Sequence, residues 1–263
     1  MNFDVQHDRR KTIRQAMLDW VSQNIVLPNQ ANANNNDKIQ IQKPPIFLIN
    51  NVSTLITLCI KYDYPEIWPE AFDHIFQLAN SCIAGLDMAV RILSDLDVEI
   101  ITATVEGGTA ATSVTTTTTS SASAGASNTN MNYKKNILSL KQRELAHNTI
   151  IKDAMRANDI TFNIITILSK SAVYLRTDTI IRSSSNLSGV GEKLCNALSR
   201  KCLKCISTFI GWIDVNLVIT HVLPTLYQAV LNDSVLVTPA LVCLYELVKK
   251  GMDPVLKAYM THS

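Results

Sequence analysis

The feature that most constrains this chain is the stretch "YDYPEIWPEAF", residues 62–72, which follows directly on an apolar helical run. In "IFLINNVSTLITLCIKY" the positions Leu48, Val52, Leu55, Cys59 and Tyr62 recur at helical spacing, and Ile49, Ile56 and Ile60 widen the stripe. A helix apolar over so wide an arc touches neighbours on more than one side. Pro65 cannot continue it, because proline lacks the amide donor and its ring clashes with the preceding turn, whereas Pro69 suits the first turn of a new helix. The stretch therefore predicts a corner between two packed helices, with Trp68 and Phe72 inside the turn.

The same periodicity recurs on both sides of the corner. Ile13, Met17, Trp20 and Val21 define one face of a helix over residues 8–27, ended by Pro28. Beyond the corner, the spacing predicts helices over 69–84 and 86–100, separated by Gly85 and folded into an antiparallel hairpin. Further helices follow over 136–157 and 159–176, and another over 190–210 with Leu194, Leu198, Cys202, Cys205 and Phe209 on one face. Asp214 is placed to cap a helix through Leu231. A last complete helix starts near 235 and closes at Gly251, and "GMDP" opens one more.

Strand-like alternation is absent over any useful length. The helices beginning near 190 and 235 are about 45 residues apart, within the roughly 40–47-residue period of HEAT and armadillo units. The predicted fold is all-α, an α-solenoid of HEAT-like antiparallel helix pairs covering residues 1–263. Three polar inserts interrupt it: an Asn-rich one at 28–43, a Thr/Ser-rich one at 102–134 and a Ser-rich loop at 177–189. The second has no periodicity and too little apolar surface to offset its ordering entropy, which predicts disorder.

Composition adds two constraints. With 47% hydrophobic and 17% charged residues in 263, the chain can bury a large core. No apolar stretch approaches a membrane span and the amino terminus lacks a signal-peptide core, so the expectation is a soluble, intracellular chain without a membrane role. The net charge of +2 conceals a separation: residues 61–106 carry nine acidic against two basic side chains, net −7, and residues 134–204 carry thirteen basic against five acidic, net +8.

Chemistry is hard to find. "CLKC" at 202–205 has no second ligand pair and no strand beside it, so core packing is preferred over a metal or redox role. The five histidines are scattered, "GVGEK" at 189–193 lacks phosphate-loop spacing, and no nucleophile has a credible base. The expectation is a non-enzyme with no catalytic residue, metal, cofactor or small-molecule substrate. Two charged groups remain. Lys141, Lys152 and Arg156 each follow a residue expected on a buried face (Leu140, Ile151, Met155), so they share an adjacent face that is either merely solvated or a contact for phosphates or an acidic partner. Asp63, Glu66, Glu70 and Asp73 surround the corner and serve either helix N-terminal electrostatics or docking of a basic protein surface.

Four stretches, "YDYPEIWPEAFDHIF", "HNTIIKDAMRANDI", "GWIDVNLV" and "LYELVKKGMDP", resemble the exportin-T family of tRNA exporters in the importin-β (karyopherin) superfamily. The first marks exportins in general and the other three are more specific. The resemblance implies a nuclear transport receptor of HEAT repeats that binds Ran-GTP and mature tRNA cooperatively, meets nuclear pore proteins, shuttles between nucleus and cytoplasm, and catalyses nothing. It implies that the chain corresponds to an amino-terminal-region piece of such a receptor. On this basis Asp63, Glu66, Glu70 and Asp73 are assigned to Ran, and Lys141, Lys152 and Arg156 to the tRNA backbone. An unrelated HEAT-type scaffold, or an import receptor without RNA cargo, is the alternative.

Overall fold

In the computed structural model, residues 3–27, 44–102, 128–183, 190–211 and 213–250 are described, and they form helices with no strand among them. The elements are α1 (Phe3–Val21, prolonged by a π-helical turn, Ser22–Val26), α2 (Ile46–Asp63), α3 (Ala71–Ser81), α4 (Ile83–Leu96, followed by a π-helical turn, Asp97–Thr102) and α5 (Asn128–Ala157). After them come α6 (Ile160–Ser183), α7 (Val190–Ile210), α8 (Val215–His221), α9 (Leu223–Asn232) and α10 (Val237–Lys249).

Three pairs, α3/α4, α6/α7 and α9/α10, stack into two rows. One row runs α3, α6, then α8 and α9; the other runs α2, α4, α7, α10, with α1 against α2. Helix α5 packs on α6 and on the π-helical turn after α4. One core, from Val21 to Leu247, continues between the rows. This is a HEAT-like α-solenoid of antiparallel helix pairs.

Several expected faces shift by one residue, for a common reason. On α2 the buried line is Ile49, Val52, Ser53, Ile56, Thr57 and Ile60, while Leu55 and Tyr62 face outward. Two polar residues take core positions because α4 supplies partners: Ser53 Oγ donates to Asp95 at 3.0 Å and Thr57 Oγ1 to the Ile92 carbonyl at 3.2 Å. On α1 the buried line contains Arg14, Val21 and Ile25, and Ile13 is exposed. On α5 Leu140 is exposed and Ile151 and Met155 are buried; on α7 Leu194 is exposed and Cys195 takes its place beside Leu198, Cys202, Cys205 and Phe209.

The boundaries carry corrections too. Pro69 precedes α3 rather than lying in it. Gly85 is not the separator of α3 and α4; the break is at Cys82, in extended conformation, whose sulfur accepts the Gly85 amide at 3.3 Å. Gly85 sits in the first turn of α4 because a Cβ there would lie 2.4 Å from the Leu78 carbonyl oxygen and 2.4 Å from Ser81 Oγ. No side chain is compatible with that approach unless the turn moves. Asp214 does cap α8, accepting the Asn216 amide at 2.8 Å, but that helix stops at His221 and Pro224 opens α9, so one expected helix is two. Asp159 closes the α5–α6 turn at φ 54°, a left-handed conformation that Asp tolerates.

Of the three inserts, residues 28–43 lie outside the described residues. The Thr/Ser-rich segment overlaps α5, which begins at Asn128, and the Ser-rich loop overlaps α6, which runs to Ser183. Residues 103–127 and 184–189, the expected closure at Gly251 and the helix after it also lie outside the described residues.

Candidate interaction surfaces

The corner ends α2 with a backbone turn in which the Asp63 carbonyl accepts the Ile67 amide at 2.7 Å and the Trp68 amide at 2.9 Å. That closure carries Tyr64, Trp68 and Phe72 inward, with Tyr64 edge-on to Phe72 at 5.0 Å between centroids. It also turns Asp63 inward. Its carboxylate is buried and receives Arg10 at 2.9 Å and Arg14 through a short ion pair, and the Arg14 guanidinium lies 5.5 Å from the Trp68 ring centre. Asp63 thus ties α1 to the corner and does not share an exposed face with Glu66, Glu70 and Asp73, which are exposed. The four expected acidic residues divide into one structural ion pair and three surface carboxylates.

A second buried charge lies two residues earlier. Lys61 donates to Glu99 at 3.0 Å and Glu144 at 2.8 Å. Burial pushes its ammonium down, but these two carboxylates more than reverse this and hold it above the ordinary lysine range. The hydrogen bond from Lys61 in turn holds the Glu144 carboxyl below the usual carboxylate range. His147 Nε2 bonds the Lys61 carbonyl, and Asn158 Nδ2 donates to the Tyr64 hydroxyl at 3.0 Å. Helix α5 is therefore strapped across the end of α2 by polar contacts, which apolar periodicity cannot reveal.

The expected basic stripe is partly assembled. Lys141 lies in α5, with its side chain outside the described residues. Lys152 is half-buried, and burial first and then the neighbouring Arg156 charge pull its ammonium below the ordinary range, with Asp97 acting against them. Arg156 is exposed and pairs with Asp153 at 3.0 Å. Lys250 joins the cluster from the end of α10: burial and then Arg156 lower it, opposed by Asp214, and its ammonium donates to the Ile210 and Ile213 carbonyls. Three cations from two distant segments thus sit near one another, and Lys250 could not have been grouped with Lys152 and Arg156 from sequence spacing.

The cysteine pair is core. Cys202 and Cys205 are buried, burial pushing the first thiol up to about 12 and the second higher still, so neither is poised as a nucleophile. Among the described residues no group of histidine, cysteine and carboxylate side chains could hold a metal ion, and no helix is long and apolar enough to cross a membrane.

The pattern that defines the exportin 1-like proteins matches residues 45–122 and 134–244, well over half of the chain. The chain belongs to the exportin 1-like family. Among curated proteins it is similar to Exportin-T of Danio rerio (22% identical over 255 residues, covering 97% of this chain and 20% of the relative). Exportin-T of Mus musculus is 24% identical over 255 residues, covering 97% and 20%, and Exportin-T of Dictyostelium discoideum 23% over 248 residues, covering 94% and 17%. This exportin 1-like chain thus spans a fifth or less of the length of these curated relatives.

Proposed function

We propose that the chain works as part of a karyopherin-type nuclear export receptor whose cargo is tRNA, bound cooperatively with Ran-GTP and released in the cytoplasm. The observation that carries this reading is the exportin 1-like match along residues 45–122 and 134–244, joined to similarity with exportin-T proteins of animal and amoebal sources. On this reading the protein shuttles between nucleus and cytoplasm, meets nuclear pore proteins on the way, and works by binding without catalysing a reaction.

Glu66, Glu70 and Asp73 are the acidic side chains proposed for Ran, with Asp63 holding the corner that displays them. Lys152 and Arg156, with Lys141 on the same helix and Lys250 beside them, are proposed for the tRNA backbone. Supporting this is the depressed ammonium of Lys152 and of Lys250, caused first by burial, with Arg156 adding to it and Asp97 and Asp214 opposing; an added phosphate would offset the desolvation of both cations.

The test is tRNA binding by a chimaera in which this chain replaces the matching segment of the Danio rerio relative, measured with and without Ran-GTP. Tighter tRNA binding in the presence of Ran-GTP is expected. Binding that ignores the nucleotide on Ran, or no tRNA binding at all, argues instead for a scaffold with protein partners.

A further inference from the structure

The row formed by α2, α4 and α7 carries a groove of about 550 Å³ at the junction of the three helices, and no part of the transport reading uses it. Its walls differ in charge. Along α4, Asp95 accepts the Ser53 and Thr54 hydroxyls at 3.0 and 3.3 Å, both on Oδ2, which leaves Oδ1 with lone pairs to offer. Asp97 is at 8% exposure, and burial raises its carboxyl, with Thr208 and Lys152 acting against this. A carboxylate offers about four acceptor positions, so both can take further donors. Along α7 stand Lys201, which donates to Asp87 at 2.7 Å, and Lys204, whose side chain is exposed.

This arrangement discriminates between classes of ligand. A phosphate chain entering the groove meets two carboxylates at close range, and a uniformly basic segment meets Lys201, Lys204 and Arg91. Either would bring like charges together in a partly desolvated site, at a cost of several kcal/mol. A segment with both charges satisfies each wall. Arginine is the suited cation, because its planar fork of five donors serves two carboxylates at once, whereas an ammonium acts as a point charge.

We infer that the groove docks a short segment of a protein partner in which an arginine and a carboxylate lie close together, the guanidinium meeting Asp95 and Asp97 and the carboxylate meeting Lys204. The site adjoins the Lys152–Arg156–Lys250 cluster proposed for RNA through Asp97, which also faces Lys152, but its walls carry both charges and its occupant is polypeptide.

The experiment uses the full 263-residue chain, labelled with ¹⁵N and titrated with the peptide acetyl-GSRGEGS-amide, with acetyl-GSQGEGS-amide as control. The arginine peptide shifts the amide signals of Asp95, Lys204 and Thr208, and the glutamine peptide binds at least about tenfold more weakly, as loss of a charge-assisted bond requires. Asp95→Asn and Lys204→Gln each weaken the arginine peptide several-fold while the melting temperature stays within about 2 °C, consistent with near-surface substitutions. Equal binding of the two peptides, or no shifts at these three residues, overturns the proposal. So does a twelve-residue oligouridylate that shifts the same signals more strongly than the arginine peptide, which would make the groove part of a nucleic-acid surface.

Discussion

The corner at residues 61–73 and the basic cluster at the α5 and α10 ends use the same side-chain types to opposite effect. At the corner, Lys61 and Asp63 are buried and met by opposite charges from α1, α5 and the turn after α4. In the basic cluster, burial lowers Lys152 and Lys250, Arg156 adds a further cationic charge, and Asp97, Asp153 and Asp214 act against these. A buried and matched charge is tied to the fold, because removing either partner strands the other away from water. A half-exposed cluster of one sign keeps free energy in reserve for an oppositely charged ligand. Charge counts along the sequence do not separate these cases; burial and the sign of the nearest neighbours do.

Five substitutions in four tests probe that distinction, the largest effect first. Asp63→Ala strands Arg14 in the core and should cost about 3–5 kcal/mol in urea unfolding. A loss under about 1 kcal/mol would place Asp63 on the surface side of the comparison. Lys61→Met should cost less, about 1–2 kcal/mol by the same measurement, since the carboxylates left behind, Glu99 and Glu144, still reach water.

Third comes acid sensitivity. Burial raises the Asp87 carboxyl, but hydrogen bonds from Lys201 and Arg91 more than reverse this and hold it below its ordinary 3.8. A depressed folded value stabilises the chain above the unfolded pKa, and that contribution is lost as pH falls from near 3.8 through the folded value. Asp87→Asn should therefore flatten the stability profile in that window, and an unaltered acid limb would remove Asp87 from the charges tied to the fold. The smallest change in stability, within about 0.5 kcal/mol, is expected for the pair Lys152→Gln and Arg156→Gln. The same pair should weaken RNA binding and reduce the salt slope by about one for each phosphate no longer neutralised, read in the chimaera. A large loss of stability with unchanged salt dependence would reverse the comparison.

Much of the architecture was legible because its determinants are local. The α7 stripe from Leu198 through Cys202 and Cys205 to Phe209, the Asp214 cap and the inward Trp68 and Phe72 each follow from residues a few positions apart. The misplaced faces share a non-local cause. Ser53 and Thr57 are buried on α2 because Asp95 and the Ile92 carbonyl meet them from α4, and Arg14 takes the inward place expected of Ile13 because Asp63 waits about fifty residues on. A polar residue reads as surface until its partner is known. The same reasoning explains the surfaces: Lys152 and Arg156 were visible as a helical spacing, but Lys250 joins them only through the packing of α10 against α7, and Asp63 left the acidic group only once α1 was seen to cover it.

The strap of α5 across α2 makes the solenoid unevenly compliant. Where helices touch only their neighbours in a row, small rotations at successive interfaces add up, and the stack behaves as a spring. Over the corner that spring is splinted: Lys61, Glu144, His147, Asn158 and Tyr64 fasten one long helix to the end of another, so twisting there requires several polar bonds to yield together. Between α6 and α10 a second clasp is present: Arg176 of α6 pairs with Asp233 at the end of α9 and donates to Asn196 of α7, and Lys250 donates to the Ile210 carbonyl. The corner is thus a fixed anchor, against which a partner can pull on neighbouring repeats without unpicking the start of the stack.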